Sequence, residues 1–109
     1  MNRAGLSPRA ERDLDAVCNY IAAGNADAAT RVRHTILDTA DFLAQNPALG
    51  RWILKATPRH AAVHWFVVPK YRNYLIFYQP FENTIVVLRI LHAAQDWTRF
   101  FPTSSKNAG

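Results

Sequence analysis

The chain has a single cysteine, four glycines scattered one at a time, and no apolar run longer than a strand. Each shortage excludes something. Cys18 alone makes no internal disulfide and falls on the apolar stripe of a predicted helix, so the core holds by packing. Without a glycine-rich loop to cradle phosphate, nucleotide binding has no support. No stretch is long and apolar enough to span a bilayer, and Met1-Asn2-Arg3-Ala4-Gly5 lacks the apolar core of an export signal, so a cytoplasmic protein is expected. Acid is scarce where base is plentiful. Residues 1–50 hold five Arg/Lys against six Asp/Glu, whereas residues 51–109 hold eight against two. Between Arg51 and Tyr74 stand Arg51, Lys55, Arg59, Lys70 and Arg72 with no acid among them. Such a one-sided field draws anionic surfaces, either an acidic protein or nucleic acid, and it equally describes a solvated basic face.

What is present is ordinary globular material: 109 residues, half of them hydrophobic and 19% charged. That length suits one domain, expected over residues 1–102, with a frayed tail at 103–109. Ser7-Pro8 predicts a helix start, a hydroxyl for the orphan N–H groups and then proline where its missing N–H costs nothing. Ala10, Leu14, Val17, Cys18 and Ile21 recur at helical spacing, and Gly24 ends the helix. Asn25 caps a second helix with the stripe Ala29, Val32, Ile36, Ala40 and Leu43, which Asn46-Pro47 stops. After Gly50 the texture turns β-branched and aromatic, predicting strands at Val63 to Val68, Asn73 to Tyr78 and Thr84 to His92. A short strand around Arg3 to Leu6 is weakly signalled. The fold class expected is α+β: a helical hairpin on one face of a three- to four-stranded antiparallel sheet, in the order β-α-α-β-β-β, with a short C-terminal helical turn.

In the last strand strict alternation sends Val86, Leu88 and Ile90 one way and Ile85, Val87, Arg89 and Leu91 the other. The helix pair covers one face, and only Trp97, Phe100 and Phe101 remain for the second. An uncovered apolar face predicts an obligate protein partner. Arg89 within an apolar strand needs a carboxylate or a partner's acidic site; Asp96 is expected to preset it, with Trp97 stacked nearby.

Catalytic groupings are thin. His60 and His64 have the i, i+4 spacing of a helical metal pair, but Pro58 and the β-branched residues that follow predict a strand, which would put them about 13 Å apart. No metal or cofactor is implied. Ser7 reads as a cap and Cys18 as core, and no Ser-His-Asp or Cys-His set is legible. His64, Lys70, Arg72, Tyr78, Glu82, Arg89 and His92 form a possible acid–base set for RNA, against which stand structural roles: a half-buried strand Tyr78, His92 bonding the strand end, and Arg89 paired internally.

The segments Leu49-Gly50-Arg51, Tyr71-Arg72-Asn73-Tyr74-Leu75-Ile76-Phe77-Tyr78 and Leu88-Arg89-Ile90-Leu91-His92-Ala93-Ala94-Gln95-Asp96 resemble the ParE branch of the RelE/ParE toxins of bacterial type II toxin-antitoxin systems. Asp13-Leu14, Tyr20-Ile21 and Ala28-Ala29 extend the resemblance, which runs from about Leu6 to Phe101. It implies a small toxin that binds and inhibits DNA gyrase and forms a hetero-oligomer with a ParD-like antitoxin, whose C-terminal segment wraps it. The RelE-like alternative, a ribosome-dependent mRNA endonuclease, implies an arginine three residues before the strand tyrosine and acid–base groups near the C-terminus. This chain has Leu75 at the first place and Ala93, Ala94 and Phe100 around the others, side chains that neither stabilise an oxyanion nor move a proton. A decayed toxin that only binds its antitoxin is a third reading. A non-enzymatic role is therefore expected, without direct nucleic-acid binding and away from membranes. The residues expected to meet the target or antitoxin are Arg72, Tyr74, Tyr78, Arg89, His92, Asp96, Trp97, Arg99 and Phe100. Gln95 stands where many relatives carry arginine.

Overall fold

The computed structural model describes residues 3–54, 58 and 61–95. The two helices start where their caps stand. Ser7 Oγ accepts the Ala10 N–H at 3.0 Å and opens α1 (Pro8–Ala22); Asn25 Oδ1 accepts the Ala28 N–H at 3.0 Å and opens α2 (Ala26–Gln45). The second helix stops before Asn46-Pro47, because the residue ahead of proline avoids the α region. Ser7 does more than cap. Its N–H donates to Val87 C=O and its hydroxyl to Leu88 C=O, both at 2.9 Å, which ties the start of α1 to the last strand. Arg33 and Asp15 add an exposed ion pair between the helices.

Five strands follow the order β1-β5-β4-β3-β2, where β1 is Gly5–Leu6, β2 Arg51–Leu54, β3 Val63–Val67, β4 Tyr74–Phe81 and β5 Thr84–His92. The helical hairpin on one sheet face is as expected, and the sheet is wider and mixed. The faint N-terminal strand is real and pairs parallel with β5, while the rest of the sheet is antiparallel. The unforeseen strand, β2, is four residues long and opens on an arginine, too short for an alternation signal. α1 and α2 carry the chain from one sheet edge to the other.

β4 runs three residues past Tyr78, where the strand was expected to end, and takes in Pro80. Pro80 is tolerated because β3 begins only at Val63, so no strand among the described residues asks for its missing N–H on that side. A two-residue loop, Glu82-Asn83, closes the hairpin with Glu82 at φ 54°.

Strict alternation fails in β5. The register shifts by one between Phe77–Arg89 and Tyr78–Val87, so Leu88 is the extra residue of a β-bulge. Ile85, Val87 and Ile90 therefore all join the core under the helices, with Leu14, Ile36, Leu43, Ile76 and Tyr78. Leu88 turns to the second face beside Leu91. That face is not bare: Val63, Leu75, Phe77 and Leu91 are each at most 7% exposed and pack with Ile53, Trp65, Val67 and Leu88. The expectation of an uncovered face is corrected, so a protein partner does not follow from packing alone. Trp97, Phe100, Phe101, the C-terminal helical turn and the tail at 103–109 lie outside the described residues.

Candidate functional site

Arg89 is held from a direction the sequence did not suggest. Its Nε donates to Asp13 Oδ2 at 2.7 Å and its second guanidinium N–H group to Asp13 Oδ1 at 3.0 Å, a two-pronged pair with side chains only 14% and 15% exposed. Asp13 Oδ2 also accepts the Ile90 N–H at 3.0 Å. β1 ends at Leu6, opposite Val87, so beyond that point the outer edge of β5 has no strand beside it among the described residues. Ser7 and Asp13 satisfy its Leu88 C=O and Ile90 N–H instead. Arg89 thus has a carboxylate partner in Asp13, while Asp96 lies outside the described residues. Asp13 was legible only as part of a family resemblance, since on α1 it falls among the polar positions.

Tyr78 is wholly buried, so its side chain offers no contact surface, in contrast to its expected place at an interface. Its hydroxyl donates to Pro47 C=O at 2.9 Å and accepts the Gly50 N–H at 2.8 Å, clamping the loop between α2 and β2. Burial raises its pKa, and the Gly50 N–H works against that rise. Gly50 is needed for close approach: a Cβ there would lie 2.5 Å from the Tyr78 oxygen and 2.8 Å from Trp65 C=O. His64 stacks on Tyr78, ring centroids 5.2 Å apart at 17°. The imidazole is buried, its Nδ1 lacks a hydrogen-bond partner among the described residues, and burial lowers its pKa. His64 lies in β3, and His60 is outside the described residues.

His92 closes the end of β5: its N–H donates to Gln95 Oε1 at 2.8 Å and its Nδ1 accepts the Ala94 N–H at 3.0 Å. Tyr74 meets it edge to face at 5.3 Å. This is the strand-end role weighed against acid–base chemistry. Trp97, Arg99 and Phe100 lie outside the described residues.

Arg72 belongs to another place. It lines an open groove of about 510 Å³ with Leu49, Arg51, Trp65, Phe66 and Pro69. The Arg51 guanidinium lies over the Trp65 ring, 5.9 Å from its centre. Phe66 and Pro69 continue into a smaller hollow with Phe42 and Lys70. Pro69 and Lys70 make the turn, Lys70 at φ 71° and Tyr71 N–H donating back to Val68 C=O at 3.2 Å, the pattern of a type II turn. Arg51, Lys70 and Arg72 form no ion pair among the described residues. The groove is cationic and half apolar, suited to holding an anionic, partly apolar partner. The basic run from Arg51 to Tyr74 was its sequence signal; Leu49, Trp65 and Pro69 gave none.

Among the described residues no three His, Cys, Asp or Glu side chains gather as a metal site requires, and no helix is long and apolar enough to cross a membrane.

A solved structure described as a chromosomal ParDE TA system from P. aeruginosa shares the fold, with a TM-score of 0.63 over 84% of this chain and 96% of that one at 20% identity. No curated protein matches the chain. The family model described as "ParE toxin of type II toxin-antitoxin system, parDE" matches residues 5–97, from β1 through the segment after β5. By that match the chain belongs to the ParE toxins of type II toxin-antitoxin systems.

Proposed function

We propose that this ParE-family chain acts by binding DNA gyrase and blocking supercoiling, in the cytoplasm, and that a ParD-like antitoxin holds it inactive. The observation that carries the reading is Leu75. It occupies the place where RNA-cleaving relatives are expected to present arginine, and here it is an apolar side chain, 7% exposed, packed with Phe77, Leu91 and Val63. A buried leucine supplies no charge to a phosphoryl transition state. His92, the nearest acid–base candidate, is engaged with Tyr74 and with the strand-end turn. Arg72, Tyr74 and His92 remain the proposed contact residues for target or antitoxin, together with Asp96, Trp97, Arg99 and Phe100.

The test uses purified protein against gyrase, scored for supercoiling and for trapped cleavage complexes. Inhibition that added antitoxin reverses is expected. Unchanged gyrase together with mRNA cuts on translating ribosomes would replace this reading with the endonuclease, and neither effect would leave a chain that only binds its antitoxin.

A further inference from the structure

The register of β3 decides which way its backbone points. Val68 N–H donates to Tyr74 C=O at 3.0 Å, and directly hydrogen-bonded pairs alternate along an antiparallel ladder. Phe66 and His64, opposite Ile76 and Tyr78, thus turn their N–H and C=O toward β4. Trp65 and Val67 turn theirs outward. Trp65 finds Arg51 of β2. Val67 finds no strand among the described residues, because β2 begins at Arg51. The next residue in register, Leu49, donates its N–H to Asn46 C=O at 3.0 Å instead. A backbone donor and acceptor are left on the wall of the groove that Arg51 and Arg72 flank.

We infer that this edge docks an extended acidic protein segment, which lies along Val67 as an added strand. Its carboxylates meet Arg51, Lys70 and Arg72, and its apolar side chains rest on Leu49, Phe66 and Pro69. Side chains of an extended segment alternate between faces, so acidic and apolar residues in alternation satisfy both demands. The charge is complementary: Arg51 and Arg72 are the charged residues lining the groove, and Lys70 stands in the adjoining hollow, whose one acid is Asp38. Nucleic acid answers the charge alone. It has no peptide groups to pair with Val67 and gains little from Leu49 or Pro69. The inference deepens the reading above by naming the chemistry of the partner's segment, and it takes from that reading only that the partner is a protein.

The experiment titrates the purified full chain with a short labelled peptide alternating glutamate and valine, followed by anisotropy and by hydrogen exchange at the Val67 N–H. Binding, slowed exchange at Val67, and about tenfold weaker binding by the Arg51→Glu/Arg72→Glu variant are expected. Methylating alternate peptide nitrogens should abolish binding to the unmodified protein, and so should Val67→Pro, a change the ladder with β4 tolerates because that N–H points outward. The inference falls if the peptide does not bind, if Val67 exchange is unchanged, if charge reversal or backbone methylation leaves affinity intact, or if a single-stranded oligonucleotide binds the groove as tightly. Gyrase inhibition measured on the same preparation separates the two readings: inhibition without peptide binding sinks only this one, and peptide binding without inhibition sinks only the gyrase target.

Discussion

The two sides of the sheet treat arginine in opposite ways. On the β5 side, where β1 stops short, the chain closes its own edge: Ser7 takes the Leu88 C=O, and Asp13 takes both the Ile90 N–H and the Arg89 guanidinium. On the β3 side, where β2 stops short, Val67 faces outward between Arg51 and Arg72, which have no carboxylate partner among the described residues. Both strands outrun their neighbours. The difference lies in what the helix hairpin delivers. α1 starts at the β5 edge and brings a serine and an aspartate with it; α2 reaches the other side with Phe42 and then the loop to Gly50, which Tyr78 folds inward. One edge is finished within the fold, and the other is left as a place for a partner.

Removing Asp13 should break the contrast most severely. Asp13→Ala strips Arg89 of this carboxylate and leaves the Ile90 N–H without its acceptor in a mostly buried setting, a loss of about 2–4 kcal/mol in unfolding free energy. Urea denaturation measures it. A loss under about 0.5 kcal/mol would place the pair among ordinary surface salt bridges, and the two edges would then be energetically alike.

A medium effect is expected from pH, through the strand that carries the open edge. Burial holds His64 neutral and below its ordinary value of 6.5, so the unfolded chain binds a proton more readily than the folded one. Its contribution to stability is complete above pH 6.5 and is lost as the pH falls from there through the folded value. Denaturation midpoints should drop on acidification, and His64→Phe, which keeps a ring against Tyr78, should flatten that fall. An equal slope in the variant would assign the pH dependence elsewhere.

The smallest effect is the sharpest control. Arg72→Ala, at the open edge, should shift stability by no more than about 0.5 kcal/mol, because it breaks no ion pair among the described residues. Thermal melting checks it. A loss approaching that of Asp13→Ala would mean that Arg72 supports the fold and that the groove is less available than its geometry suggests.

Much of the fold was legible because its signals are local. Ser7, Asn25 and Asn46-Pro47 announce the helix ends through backbone groups within four residues of themselves, and the helix bounds followed. β3 and β5 were legible from their β-branched runs. The candidate site was read less well. Arg89 was singled out for the right reason, an expensive charge in an apolar strand, but Asp13 lies 76 residues away and has no spacing rule to give it away. Arg72 was named without its groove, since Trp65, Leu49 and Pro69 gather around it only when β2, β3 and the following turn come together. Tyr78 was offered as a contact residue because a strand tyrosine looks the same in one dimension whether it faces solvent or a loop.

Caps, stripes and charge balance act over one or two turns, so chain order alone carries the helix hairpin, most of the strands and the basic second half. Face and edge do not follow from chain order. A single bulge at Leu88 moved Ile90 and Leu91 to faces that alternation denied them, since one inserted residue reverses every side chain beyond it. Which strand end is sealed and which stays open depends on where the other elements stop, a matter of packed lengths in three dimensions, and that is why Arg89 is bound within the fold while Arg51 and Arg72 stand ready for something outside it.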